Sequence, residues 1–264
     1  MNENSEHDKI QELINSGSDI VGAATGGILG FFVAGPLGAA AGSAGGTIVA
    51  KGLSKIGKEL KQRVLGNREE ARIGATVSYA VLKIQENLSK GKTIREDDFF
   101  KNEINSRTDA DEVLEGILIS SQKEYEEKKL KYLGNLLGNI SFDENINKPF
   151  ANQLIRLGES LSYHQLCLLK IFFQSGNLKE IELRKENYRD SKPFSRELVT
   201  ILYDILEIEK MSLIINSENQ VLGLTDIIPS QFAVQGNGNA LVKLMELKTI
   251  PEEDCSKMKN ILSE

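Results

Sequence analysis

The chain divides into stretches of different hydrophobic texture. From Ile20 to Ala50 there are 31 consecutive residues without a charge. Beyond residue 66 the apolar positions recur at helical spacing. Ile73, Val77, Val81, Ile84 and Leu88 form one stripe, with Glu69 and Glu70 suited to the first turn and Gly91 as a stop, which predicts a helix over Asn67–Leu88. A second long helix is expected from Asp109, with Asp111 and Glu112 in its first turn. Leu114, Ile117, Leu118, Tyr125, Tyr132, Leu133, Leu136 and Leu137 mark its buried side, and the charged middle, Lys123 to Lys131, reads as a solvated face. Asn145 to Pro149 forms a break, and short helices follow through Leu157 and from Ser162 to Phe173.

The last hundred residues differ. A helix from Ser195 to about Ile208 leads into Met211–Asn216, a polar turn at Ser217–Asn219, and Gln220–Leu224, two β-prone runs that read as a hairpin. After a loop with Gly236 and Gly238, Leu241, Leu244 and Met245 begin another helix. Helix, helix, β-hairpin, helix is the winged-helix order. The expected fold is mainly α: an N-terminal glycine-zipper helical hairpin, a helical domain, and a C-terminal winged-helix-like α+β module with a small β-hairpin. The corresponding divisions are an acidic tail over 1–17, the zipper over 18–56, a helical domain with a basic start over 57–145, and the winged-helix-like domain over 146–264.

The uncharged segment holds nine glycines, eight alanines and ten large apolar residues. Gly22, Gly26 and Gly30 recur every four residues, as do Ala34, Gly38, Gly42, Gly46 and Ala50. On a helix this spacing lines small residues along one face, where a second backbone can approach closely. In water so much glycine costs about 1 kcal/mol each relative to alanine in a helix interior, and packing in lipid or against a partner helix offsets it. Pro36 after Gly35 kinks or ends a helix. Either one kinked span or a hairpin follows, and the hairpin is favoured because both arms carry a zipper face. A buried Gly/Ala-rich hairpin in a soluble protein is the competing reading. A phosphate-cradling loop is excluded by spacing, since no Lys-Ser or Lys-Thr follows the glycines as that motif requires.

Charge sharpens the membrane reading. Residues 51 to 72 carry seven basic side chains, among them Lys51, Lys55, Lys58, Lys61 and Arg63, against three acidic ones. Leu53, Ile56, Leu60 and Val64 fall between them at helical spacing, a basic amphipathic pattern suited to an anionic leaflet. The positive-inside rule then leaves the rest of the chain in the cytoplasm. The first 19 residues carry five acidic residues and only Lys9 as a base, the reverse of a secretory signal's basic start. Over all 264 residues the formal net charge is −6. Cys167 and Cys255 stand far apart without a CxxC neighbour, consistent with a reducing compartment rather than a disulfide framework or zinc site.

The run EYEEKKLKYLGNLLGNISF from Glu124 to Phe142, then SLSYHQLCLLKIF and a tail ending in GNALVKLMEL, resembles the abortive-infection alpha family of bacteria over about residues 67 to 250. The resemblance rests on layout and scattered apolar positions. It implies a helical region with a terminal wing and an anti-phage role, and carries no catalytic residues.

No chemistry emerges from the remaining motifs. His164 and Cys167 share a helix face, as a nucleophilic pair can, but no third orienting residue accompanies them and a buried cysteine is the simpler reading. Asp97–Asp98 and Glu252–Glu253–Asp254 suit helix starts. Gly236 and Gly238 lack the third glycine and the βαβ setting of a dinucleotide site. The expected recognition helix has Arg196 as its only base, and residues 161 to 264 hold 12 basic and 15 acidic residues, which opposes specific nucleic-acid binding and favours a protein partner. The expectation is a membrane-active effector, with no catalytic residues, metal or cofactor, whose zipper inserts into a lipid bilayer and self-associates as a homo-oligomer. A constitutive membrane-anchored scaffold is the alternative.

Overall fold

A computed structural model describes residues 66–101, 107–190, 193–216, 218 and 221–264. The expected zipper hairpin and the basic residues that follow it lie outside these. The described residues are mainly helical, with eight α-helices and one small antiparallel sheet near the C-terminus. They belong to two compact units, divided after Ser160.

In the first unit, α1 spans Asn67–Ser89. Its start is fixed by the Glu69 carboxylate, which accepts from the Gly66 N–H at 2.8 Å, and its end by Gly91 in the left-handed region (φ 78°). The second helix, α2, spans Asp109–Lys123 and opens with a reciprocal cap: Thr108 Oγ1 accepts from the Asp111 N–H at 2.9 Å, while the Asp111 carboxylate accepts from the Thr108 N–H at 3.3 Å. Two further helices follow, α3 over Leu130–Ile140 and α4 over Lys148–Ser160. Pro149 is the second residue of α4, where its missing N–H costs no helix bond. α4 packs on α2, placing it with the first unit, whereas the sequence pattern marks a division at 145.

The closest packing in this unit joins α1 to α3. A Cβ at Gly134 would lie 2.6 Å from the Thr76 carbonyl oxygen and 2.6 Å from Tyr79 Cβ. One at Gly138 would lie 2.7 Å from Lys83 Cβ and 3.0 Å from the Ala80 oxygen. Two glycines four residues apart therefore bring α3 onto the backbone of α1.

Where the pattern predicts one long helix through Lys123–Lys131, the chain breaks. α2 ends at Lys123, Glu124 turns extended (ψ 117°), a 3-10 turn covers Glu127–Lys129, and α3 begins afresh. The charged middle is thus not a solvated helix face. Glu124 and Lys129 fold inward and pair, with side chains 5% and 2% exposed. Tyr125, expected on the buried side, is displaced outward by this turn and is 80% exposed.

The second unit is built around α5, Tyr163–Phe172, in which every residue from Gln165 onward is buried. A π-turn, Phe173–Asn177, continues it, and α6 spans Arg196–Lys210 with Ser195 Oγ accepting from the Leu198 N–H at 3.1 Å. Strand β1, Ile214–Asn216, pairs antiparallel with β2, Phe232–Val234, in the register Ile214↔Val234. The predicted hairpin partner, Gln220–Leu224, is not a strand. Leu224–Asp226 is a 3-10 turn and Leu222 is 80% exposed, so this run has no burial to hold it against β1. β2 wins the pairing because its residues have a core to enter: Phe232 and Val234 are buried, and the Phe232 ring lies 5.6 Å from that of Phe172. Helices α7, Gly236–Leu244, and α8, Glu252–Ser263, complete the unit. A Cβ at Gly238 would meet the Leu213 oxygen at 2.1 Å, so glycine there seats α7 on the backbone entering β1. Three residues other than glycine hold left-handed backbone, all in this unit: Lys179, Ser212 and Glu246, at φ 59°, 58° and 57°.

Candidate functional site

The zipper positions Gly22, Gly26, Gly30, Ala34, Gly38, Gly42 and Gly46, and the basic positions Lys51, Lys55, Lys58, Lys61 and Arg63, lie outside the described residues. Among the described residues, no helix is long and apolar enough to cross a membrane, and no cluster of three or more acidic, cysteine or histidine side chains is placed to hold a metal.

The polar groups of the second unit converge on α5. At its start Ser162 Oγ accepts from the Gln165 N–H at 3.1 Å, and the Gln165 side-chain oxygen accepts from the Ser162 N–H at 3.0 Å. The Gln165 amide nitrogen donates to Asp204 Oδ1 at 3.1 Å and to Glu207 at 2.7 Å, both on α6. His164 Nδ1 lies 2.5 Å from Asp204 Oδ2, with the ring 38% exposed and the carboxylate 16%. Asp204 thus orients the ring as the carboxylate of a general-base pair does, but the structure turns Cys167 elsewhere. That thiol, 1% exposed, lies in hydrogen-bond reach of Cys255 on α8, itself 1% exposed. The shared helix face predicted for His164 and Cys167 does not make them one site.

Further along α5, the Lys170 ammonium is 2% exposed and donates to the Ile250 carbonyl at 2.7 Å and to Glu252 Oε1 at 2.6 Å. The Glu252 carboxyl is held below its usual range, chiefly by that bond. Tyr163 OH donates to Asp254 Oδ2 at 2.7 Å. Two acids expected as helix-start groups on α8 therefore also make tertiary bonds to α5. The same holds in the first unit: Asp97, at the start of the 3-10 turn Asp98–Phe100, pairs with Arg95, which lowers its pKa. The Arg95 guanidinium also donates to the Ile146 carbonyl at 2.8 Å and stacks 4.1 Å from the Phe99 ring centre.

The outward face of α6 carries Arg196, Glu197, Thr200, Tyr203, Glu207 and Lys210. Both charge signs are present, and Tyr203 is 56% exposed. Such a face offers no consistent potential to a phosphate backbone, whereas an exposed tyrosine among mixed charges suits a protein surface. Gly236 and Gly238 form the first turn of α7 and belong to no βαβ unit. No family model, curated protein or solved structure matches the chain.

Proposed function

We propose that this protein is a bacterial membrane-active effector of the abortive-infection kind, whose glycine-zipper segment enters the cell membrane and self-associates while the rest of the chain stays in the cytoplasm. The observation that carries this reading is the uncharged run from Ile20 to Ala50 with small residues at every fourth position, followed at once by a basic stretch. Small-residue faces favour helix association where lipid offers no competing hydrophobic drive. A weakly apolar segment is also suited to be held back until released. The α1–α3 seam supports the packing half of the idea, because there Gly134 and Gly138 use the same four-residue spacing for backbone contact. The C-terminal unit would act as a winged-helix-like interaction module, with Tyr203 on its exposed surface. No catalytic step or cofactor is assigned to it.

The test is a pair of double substitutions in the full chain. Gly38→Leu with Gly42→Leu raises hydrophobicity, so membrane partition persists, but it places bulk on the face where backbones must approach. Loss of membrane potential on expression should fall while the protein still pellets with membranes. Ala39→Leu with Ala41→Leu adds similar bulk off the repeat and should leave the effect largely intact. Equal behaviour of the two pairs would leave the segment a plain anchor and the protein a scaffold. Full-length protein that stays soluble without detergent would overturn membrane insertion altogether.

A further inference from the structure

We propose that Cys167 and Cys255 are a peroxide-oxidisable pair that closes into a reversible intrachain disulfide, fastening α8 to α5. The inference is independent of what the N-terminal segment does. It stands on the placement of the two thiols. They come from helices 88 positions apart in sequence, they are the only cysteines in the chain, and both are 1% exposed and unbridged. The Cys167 thiol donates to Cys255 sulfur. Two cysteines placed only as apolar filling have no reason to face each other, whereas two sulfurs at hydrogen-bond separation need little movement to join.

The surroundings favour a thiolate at Cys255. The Cys167 thiol lowers its pKa most, and Lys170, one turn beyond Cys167 on α5, acts in the same direction. Burial and the Glu252 and Asp254 carboxylates oppose them without reversing the sign. Cys255 also sits near the start of α8, where the helix dipole assists a negative sulfur. Lys170 is held there by two bonds, so its charge is fixed rather than wandering.

The chemistry is a two-electron oxidation with a peroxide as oxidant. The Cys255 thiolate attacks one peroxide oxygen, the O–O bond breaks, and the departing hydroxide takes a proton to become water, leaving a sulfenic acid. The Cys167 sulfur then attacks the Cys255 sulfur. The S–S bond forms, the S–O bond breaks, and the hydroxyl leaves as a second water with the Cys167 proton. Both sulfurs are oxidised and one hydrogen peroxide becomes two waters. A dithiol reverses the result. The oxidant gains access through opening of α8, whose buried contacts are limited to Cys255, Met258 and Leu262.

The experiment uses the full chain, reduced and then exposed to hydrogen peroxide, followed by alkylation, proteolysis and mass spectrometry. The expected product is one peptide pair joining Cys167 to Cys255 within a single chain, lost on treatment with dithiothreitol, with a higher thermal midpoint for the oxidised protein. Cys167→Ser should leave Cys255 to over-oxidise or glutathionylate, and Cys255→Ser should leave Cys167 largely unreacted. Thiols that resist peroxide in the folded wild type would overturn the proposal, as would sulfinic acid without a bridge or disulfides only between chains. Because the wild type carries the main readout, a serine variant that fails to fold does not rescue or sink it.

Discussion

Gly134→Ala should destabilise the first unit although alanine is the better helix former. The added Cβ would lie 2.6 Å from the Thr76 oxygen, 2.6 Å from Tyr79 Cβ and 3.0 Å from the Ala80 nitrogen. Carbon contacts are comfortable at roughly 3.5–4.0 Å, so α1 and α3 must separate by about 1 Å. Two of the three obstructing atoms belong to the α1 backbone, which cannot rotate aside as a side-chain tip would. Overpacking of this kind costs about 1–3 kcal/mol, and the seam runs on to Gly138, so the upper part of that range applies. Helix propensity returns about 1 kcal/mol. The net loss is about 1–2 kcal/mol, and at roughly 4–8 °C per kcal/mol for a domain of this size it is plain in a thermal melt followed by circular dichroism. Gly116→Ala on α2 is the control, because its Cβ would meet only Ile155 Cδ1, at 3.6 Å, an ordinary contact. That change should stabilise by about 0.5–1 kcal/mol. The two glycines thus predict opposite signs for one substitution. A midpoint raised equally by both would refute close approach at the seam.

Glu124→Gln should cost about 3–5 kcal/mol in urea denaturation, because it strands the Lys129 ammonium with the Glu159 carbonyl at 3.1 Å and no counter-charge from Glu124. Adding Lys129→Met to that variant should recover much of the loss, and a simple sum of the single effects would show that the pair is not coupled. The Glu86 carboxyl is lowered to about 2 by its bond from Lys83, with Lys90 adding to it. A depressed carboxylate contributes stability above its unfolded value near 4.5, and that contribution fades as pH falls towards 2. Its side chain is 42% exposed, so screening limits the contribution to about 1 kcal/mol or less. Wild type and Glu86→Gln should therefore differ at neutral pH and converge between pH 4.5 and 2, and a gap that widens on acidification would contradict the assignment.

Local signals in the chain located the elements better than their partners. Asn67–Ser89 follows from a clean apolar stripe with acids at one end and a glycine at the other, and Ser195 marks the start of α6 because a cap bonds within three residues. The break at Glu124 escaped the same logic. Periodicity continues across it, and the buried bond from Lys129 that makes the turn worthwhile carries no local mark. The true partner of β1 was hidden for a related reason: Gln220–Leu224 is nearer and equally β-prone, and only the core beneath Phe232 and Val234 decides between them. The Gly134–Gly138 spacing was visible, but a glycine pair in an apolar helix has meaning only once its neighbour is known. Of the polar cluster on α5, the sequence offered His164 and Cys167, while Asp204, Lys170 and Cys255 join them only through tertiary folding.

The left-handed positions have a further consequence. Lys179, Ser212 and Glu246 occupy a backbone region that costs a residue with a side chain about 1–2 kcal/mol, and that glycine enters freely. Ser212 closes α6 in the position where helices commonly place glycine, its N–H donating to the Glu209 carbonyl at 2.7 Å, and Lys179 follows the π-turn on an exposed site. The second unit therefore sits below the stability its own architecture permits. That reserve gives the lineage room to accept costly changes elsewhere, since a single exchange to glycine at a surface bend would compensate without touching the core.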